Sequence, residues 1–404
     1  MNHRLIITDC RIFDGESPDL IEDHCIVIEG DRITTVTDSQ DGSTSDDVFS
    51  ARGAVVMPGF IDAHFHACAT SLNFGDMESQ PKTYVAPYGA AALTAALRRG
   101  FTTVRDVGGA DHGLWKAAEQ GLFPSPRLFW GGPALSQTGG HGDSRPVGIE
   151  PCGCGMAGNL GEVVDGVDAI RKVARELLRH GAHHLKVMIS GGIASPSDPI
   201  WMVQYSTAEV RTVVEEAAKR RRYVAAHAYG ADAIRFAIDC GVRTIEHGNL
   251  IDADAARSVA KAGAFVVPTL AIYSALRKYG QEGGAPATML QKLEHVAEKG
   301  LEAIEICRQA GVVLGFGTDL LGNLQHQQLS EFELRAQVEE PVDVLRSATS
   351  INARIVDREG LLGCIRPGAF ADLVVVDGNP LNDINALSSP PRSLQVMKGG
   401  QWVN

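Results

Sequence analysis

The sequence lacks a long apolar run, an extended basic run, a paired-cysteine spacing and a dinucleotide fingerprint, and each absence removes a class of protein. No stretch approaches the length needed to cross a bilayer. Residues 1–9 carry too short an apolar run for a secretory leader, so a cytoplasmic protein is expected. The longest cationic run, Lys219-Arg220-Arg221-Arg222, ends a helical pattern, where cations face water and complement the helix C-terminus. With 49 acidic against 37 basic side chains and a formal charge of −12, neither nucleic acid nor an anionic membrane surface is expected as a partner. The eight cysteines repeat no spacing, and Cys152 and Cys154 lack the two-residue gap of a zinc or thioredoxin hairpin. Free thiols in a reducing compartment are the simplest account. No Gly-x-Gly-x-x-Gly follows the first long strand-like run, which removes the main dinucleotide-binding alternative.

What is present is a soluble α/β pattern of 404 residues, too long for one small domain. Short strand-like runs open the chain (Arg4–Thr8, Cys25–Glu29, Arg32–Val36) and close it (Asp372–Asp377, Ser393–Lys398, Trp402-Val403), with an acidic turn at Asp38–Asp47. Strands at both ends around an alternating middle predict a small β-sandwich domain built from residues 1–56 and 360–404. Residues 57–359 hold eight further strand-like runs: Val56–His66, Thr102–Val107, Arg127–Gly131, His184–Ser190, Tyr223–Ala228, Thr244–His247, Ala264–Leu270 and Val312–Asp319. Helical patterns fill the gaps, as at Val164–His180, and Ser206-Thr207-Ala208-Glu209 reads as a capping box. Gly100, Gly121, Gly181, Gly241, Gly263 and Gly311 follow helices, as left-handed caps do. Eight βα units in order predict a closed (β/α)₈ TIM barrel.

Metal-binding side chains gather at the carboxyl ends of these strands, where such barrels keep their chemistry. His64 and His66 are two apart and share a strand face. With 13 histidines, chance alone supplies about 0.4 His-x-His pairs per chain, so the pair needs its context. That context is Lys186, His227, His247 and Asp319 on later strands. His184, Lys186 and Met188 share the lumen face of the fourth run. A buried ammonium there costs several kcal/mol, so it is either an ion pair or a carboxylated lysine bridging two metals. Asp319 can hold a metal and a bridging water together, as a general base requires. Arg105 and Asp106 are expected to form an ion pair, a substrate contact being the alternative. The long connection that carries Asp198, Trp201 and Tyr205 is expected to line the pocket mouth, with no role assigned to these three by spacing.

From Pro58-Gly59-Phe60-Ile61-Asp62-Ala63-His64 to Arg366-Pro367-Gly368-Ala369-Phe370-Ala371-Asp372-Leu373-Val374, the sequence resembles the metal-dependent amidohydrolase superfamily. Within it the chain is similar to the two-metal subtype. The resemblance implies two divalent metal ions, zinc in the first instance. His64, His66 and Asp319 would hold the buried metal and His227 and His247 the exposed one, with Lys186, carboxylated by carbon dioxide, bridging them. The subgroup resembled is that of prolidase-like and Xaa-Arg-type dipeptidases or carboxypeptidases, related to imidazolonepropionase. In that subgroup His141, in Gly139-Gly140-His141-Gly142-Asp143, would meet the substrate carbonyl, and Tyr229 the substrate's carboxylate end. The run Gln328–Leu334 follows the last strand in the same style. Without the resemblance, His141 reads as part of a glycine-rich surface loop and Tyr229 as a lumen-filling ring. Phe65 replaces a more usual small polar residue but faces away from the metals. The implied activity is a dipeptide or N-acyl amino-acid hydrolase, with a small-molecule substrate and a homo-oligomer, an octamer being one arrangement. The rivals are a cyclic-amide hydrolase of the imidazolonepropionase kind, a one-metal deaminase, and a non-catalytic scaffold that would have lost ligands.

Overall fold

The computed structural model describes residues 4–38, 47–145, 160–388 and 394–403; Cys152, Cys154, Ser393 and the interior of the acidic turn lie outside them. The two chain ends form one eight-stranded sheet. Its strands are Arg4–Ile12, Ile21–Glu29, Arg32–Thr37, Asp47–Ser50, Val55–Pro58, Leu373–Val376, Gln395–Lys398 and Gln401–Trp402. Leu5, Ile7, Ile26, Ile33, Val56, Leu373 and Met397 meet in one buried cluster, so the sheet curves around its own core. The strand Arg4–Ile12 does the bending. Its first half pairs with Asp47–Ser50, its last residues with Val55–Pro58, and its register with Ile21–Glu29 slips at Cys10.

The middle of the chain is the (β/α)₈ barrel. Its strands, in order, are Phe60–Phe65, Phe101–Asp106, Arg127–Trp130, Leu185–Met188, Val224–Gly230, Thr244–Leu250, Phe265–Val267 and Val313–Leu314. Strands one to three form one parallel sheet, and strands four to eight another together with two short strands, Ala134–Ser136 and Gly161–Val163. Backbone bonds close both seams. His183 N–H donates to Trp130 O at 2.9 Å between strands three and four. Ala63 N–H donates to Phe316 O at 2.8 Å, and Asp319 N–H to His64 O at 2.9 Å, between strands eight and one.

Local chemistry explains the boundaries. All six glycines named above have positive φ, from 64° at Gly263 to 99° at Gly181, so each takes the left-handed turn into the next strand. Ser206 accepts from Glu209 N, and the Glu209 carboxylate accepts from Ser206 N, which completes the capping box. The helix expected from Val164 starts instead at Val167, because Gly166 sits at φ 86° and cannot belong to it. Strand eight is ladder-bonded only at Val313–Leu314. Beyond it the chain runs extended, held by Asn352, whose amide donates to Ile61 O at 2.6 Å and Phe316 O at 2.8 Å.

The expected single run Val56–His66 is two strands in two sheets. Val55–Pro58 pairs with Leu373–Val376, and Phe60–Phe65 with Phe101–Asp106. Gly59 marks the handover, donating to Asp372 O at 2.8 Å while Phe60 N–H donates to Gly100 O at 2.9 Å. A Cβ at Gly59 would collide with the buried Thr102 side chain. Gly59→Ala is therefore expected to destabilise the protein by about 1–3 kcal/mol through overpacking. Thermal unfolding checks this, with Thr102→Ala in the same chain expected to recover only part of the loss, since the Thr102 Cβ would still lie 2.8 Å away.

Candidate active site

One cavity, open to solvent, lies over the carboxyl ends of the barrel strands, and His64, His66, His141, Lys186, His227, Tyr229, His247 and Asp319 all line it. Strand alternation delivers most of them. His64 and His66 leave strand one on one face, Lys186 and Met188 leave strand four together, and His227 and Tyr229 leave strand five together.

Two residues arrive by leaving regular strand geometry. Glu246 and His247 are neighbours and would face opposite ways in an ideal strand. Both face the lumen because His247 takes a left-handed φ of 73°. Asp319 takes φ 54° at the end of the extended segment after strand eight. Such backbone costs on the order of 1–3 kcal/mol per residue and persists only where the surroundings hold it. Here Asp319 N–H donates to His64 O, and Thr318 bonds Asp62 through its backbone at 3.2 Å and its hydroxyl at 2.6 Å. Asp62, which also accepts from His64 N at 3.0 Å, ties strand one to the end of strand eight.

The ring nitrogens are sorted by acceptors behind them. His66 Nδ1 lies 2.8 Å from Gly108 O, a carbonyl that can only accept, so Nδ1 donates and Nε2 faces Asp319 Oδ1 at 3.1 Å. His64 Nδ1 donates to Glu246 Oε2 at 2.8 Å, which leaves its Nε2 at 3.3 Å from Asp319 Oδ1. His227 Nε2 lies 3.2 Å from Gly191 O and donates to it, leaving Nδ1 free. His247 Nδ1 meets Thr269 Oγ1 at 2.8 Å, with Asp319 Oδ2 at 3.9 Å. Ligand atoms of His64, His66 and Asp319 all lie within 4.8 Å of one another, a group that can hold a divalent ion.

Electrostatics favour the same use. Burial drives His227 and His247 well below the ordinary histidine value, so both present a neutral lone pair. Burial also lowers the His66 value, but the hydrogen bond and charge of Asp319 outweigh it and raise it overall. Burial pushes the Asp319 carboxyl up, and His64 and His66 more than reverse this, holding it well below the carboxylate range. Lys186 is buried, and desolvation lowers its ammonium to about 8. Among the described residues it makes no direct ion pair or hydrogen bond, and the charges of Glu246 and Asp319 act on it from a distance. These donors, a carboxylate between two imidazoles with two neutral imidazoles in the same cavity, fit the binding of divalent metal.

Several partners were not legible in the sequence. Arg105 does not pair with Asp106. Its Nη2 donates to both carboxylate oxygens of Glu246 at 2.8 Å and its Nη1 to Thr244 Oγ1 at 3.1 Å, while Asp106 caps the backbone N–H of Ala67, Gly108 and Ala110. Strand twist brings together groups 141 positions apart, which neighbouring letters do not reveal. His141 stacks on His227 with centroids 4.2 Å apart and meets Ser195 Oγ at 2.8 Å, and Ser195 donates onward to Asp198. Tyr229 Oη accepts from Tyr273 Oη at 3.2 Å, and burial raises its phenol so that it stays neutral. The connection after strand four lines the cavity through Ile193 and Ala194, whereas its Asp198, Trp201 and Tyr205 do not. Asp198 is buried behind His141, Tyr205 donates to Val164 O at 3.0 Å, and Trp201 is 81% exposed on the outside of its loop. His184 faces the lumen below Lys186, stacked on Tyr223.

Comparison with known proteins agrees with this geometry. The model of the "Amidohydrolase family" matches residues 55–403. A prolidase crystallised with N-methylphosphonate-L-proline superposes with a TM-score of 0.96 at 47% identity, over 99% of each chain. A Xaa-Pro dipeptidase with bound methionine in its active site superposes at 0.87 with 27% identity, again over 99% of each chain. The ochratoxinase of Aspergillus niger is 31% identical over 365 residues, 87% of this chain and 76% of that protein. The chain belongs to the amidohydrolase family and is a hydrolase of amide-type carbon–nitrogen bonds.

Proposed function

We propose that the chain is a two-metal peptidase that cleaves dipeptides or N-acyl amino acids of the Xaa-Pro type. The observation that carries this reading is Lys186: a buried, unpartnered amine in a cavity it shares with four histidines of the ligand type and Asp319. With its value lowered to about 8, Lys186 keeps an appreciable fraction of neutral amine at physiological pH, the form that takes up carbon dioxide. The likeness to a prolidase over 99% of both chains supports a peptide substrate.

In this reading His64, His66 and Asp319 would hold one metal and His227 and His247 the other, with carboxylated Lys186 as a ligand to both. Two zinc ions there would supply Lewis acidity and a water acidic enough to ionise near neutral pH. Asp319 takes the proton of the attacking water and passes it to the leaving nitrogen. His141, held from behind by Ser195 and Asp198, donates from its cavity-facing nitrogen to the carbonyl oxygen as charge develops there. The neutral Tyr229 hydroxyl receives the free carboxylate of the leaving amino acid.

Activity against a panel of dipeptides and N-acyl amino acids tests the reading, and no turnover of any member would reject it. Asp319→Asn is expected to cut kcat by about 10³-fold or more while KM moves less, since the variant loses the base and a charged ligand. Steady-state kinetics on the metal-loaded variant decides it, and a loss of only a few-fold would assign proton transfer to another group.

Tyr229→Phe is expected to weaken kcat/KM by about 1–3 kcal/mol, the worth of a hydrogen bond to a charged group. A C-terminally amidated dipeptide is then a poor substrate for the unaltered enzyme and no worse for the variant. Equal cleavage of acid and amide by the unaltered enzyme would remove the carboxylate anchor and favour a cyclic-amide substrate instead.

A further inference from the structure

The helix Ala287–Ala297, between strands seven and eight, buries an apolar stripe of Met289, Leu293 and Val296 in the cluster that walls the cavity. Lys292 falls within that stripe, three residues after Met289 and four before Val296. Its side chain is largely buried, and an ammonium placed there needs compensation for the water it loses.

One loop supplies it. An ammonium has three protons to donate and accepts nothing. Lys292 Nζ donates to the carbonyl oxygens of Gly192 at 3.0 Å, Ser195 at 2.9 Å and Asp198 at 2.5 Å, and Asp198 Oδ1 lies at 3.5 Å. All three carbonyls belong to the connection after strand four. Asp198 closes the same loop from inside, its Oδ2 accepting from Gly192 N at 3.0 Å and Gln204 Nε2 at 3.2 Å.

His141 rests on this loop. Its Nδ1 meets Ser195 Oγ at 2.8 Å, and its backbone N–H donates to Gln204 Oε1 at 3.0 Å. A Cβ at Gly192 would fall 2.1 Å from His141 Cε1, so the ring lies directly against the Gly192 backbone. Gly192 and Ser195 thus each give a carbonyl to Lys292 and a contact to His141, while Lys292 itself does not line the cavity.

We propose that Lys292 is a positioning residue: by gathering the carbonyls of Gly192, Ser195 and Asp198 it fixes the ring of His141 for the substrate carbonyl. This rests on the role given to His141 above and extends it to a residue outside the cavity. A donor displaced by about 1 Å loses on the order of 10²-fold in rate, so the pin is felt in turnover.

Metal-loaded single and double variants are assayed on Leu-Pro. His141→Ala is expected to lower kcat by about 10²-fold or more. Lys292→Met, which removes the ammonium and keeps an unbranched stem, is expected to lower kcat by about tenfold or more and to move KM by about twofold or less. Added to His141→Ala it should cost less than about twofold more, because the ring it positions is gone. Metal content is expected to stay that of the unaltered enzyme. Lys292→Gln, which keeps two N–H donors, takes the place of Lys292→Met if that variant does not fold. An undiminished kcat, a loss carried in KM, or a loss that multiplies fully with that of His141→Ala would overturn the assignment, as would misfolding of both variants. His141→Ala with unaltered kcat would instead remove the role of His141, and no turnover of Leu-Pro by the unaltered enzyme would count against the peptidase reading. Either would take this assignment with it.

Discussion

The site hangs on one buried ion pair below its floor. Arg105, on strand two, holds Glu246, on strand six, and Glu246 in turn accepts from His64 Nδ1. An unpaired carboxylate at that depth would protonate or draw water into the lumen. The guanidinium prevents this. Burial pushes Glu246 up, but Arg105, followed by Lys186 and His64, holds it well below the carboxylate range. An ionised Glu246 forces the proton of His64 onto Nδ1 and leaves Nε2 for the cavity, so a charge pair outside the site sets the donor atom of a ligand inside it. The Arg105 guanidinium also donates to Ala63 O, which fixes the pair to the strand that carries both His64 and His66.

Around this pair the barrel stores strain where the chemistry is. His247 and Asp319 have positive φ, and both reach the cavity only because of it. Their conformations are over-determined: Thr269 and Asp319 face His247, while Asp62, Thr318 and the His64 carbonyl hold the turn into Asp319. Helices and loops above the floor supply a second layer of another character. It is apolar on the side of Met77, Ile272 and Met289, and hydrogen-bonded on the side of His141, Ser195 and Asp198. The floor thus suits metal ions and a reacting carbonyl, and the upper walls suit discrimination among substrates.

How much of this the sequence carried depends on the range of the interaction. Strand alternation, the capping box at Ser206 and the glycines after helices are local, so the barrel strands and the side chains at their ends were legible, whereas His141 and Tyr229 were reached only through the family resemblance. The break at Gly59 was missed because it depends on the Thr102 side chain, 43 positions further on by the sequence numbering. The partner of Arg105 was misread for the same reason: Asp106 is adjacent in sequence but spends its oxygens on backbone amides. His184 and Trp201 mark the other limit. Alternation predicted the lumen face of the first, whereas no local pattern says whether a loop tryptophan turns inward or, as here, outward.

The central claim is that Lys186 completes a two-metal floor rather than serving as a lone buried cation. The most direct measurement is the metal content of the purified protein, loaded with zinc in bicarbonate buffer and freed of loosely held ions. Two equivalents per chain are predicted on the proposed reading, in which the grouped His64, His66 and Asp319 share one cavity with His227, His247 and Lys186. One equivalent, or none, would contradict it.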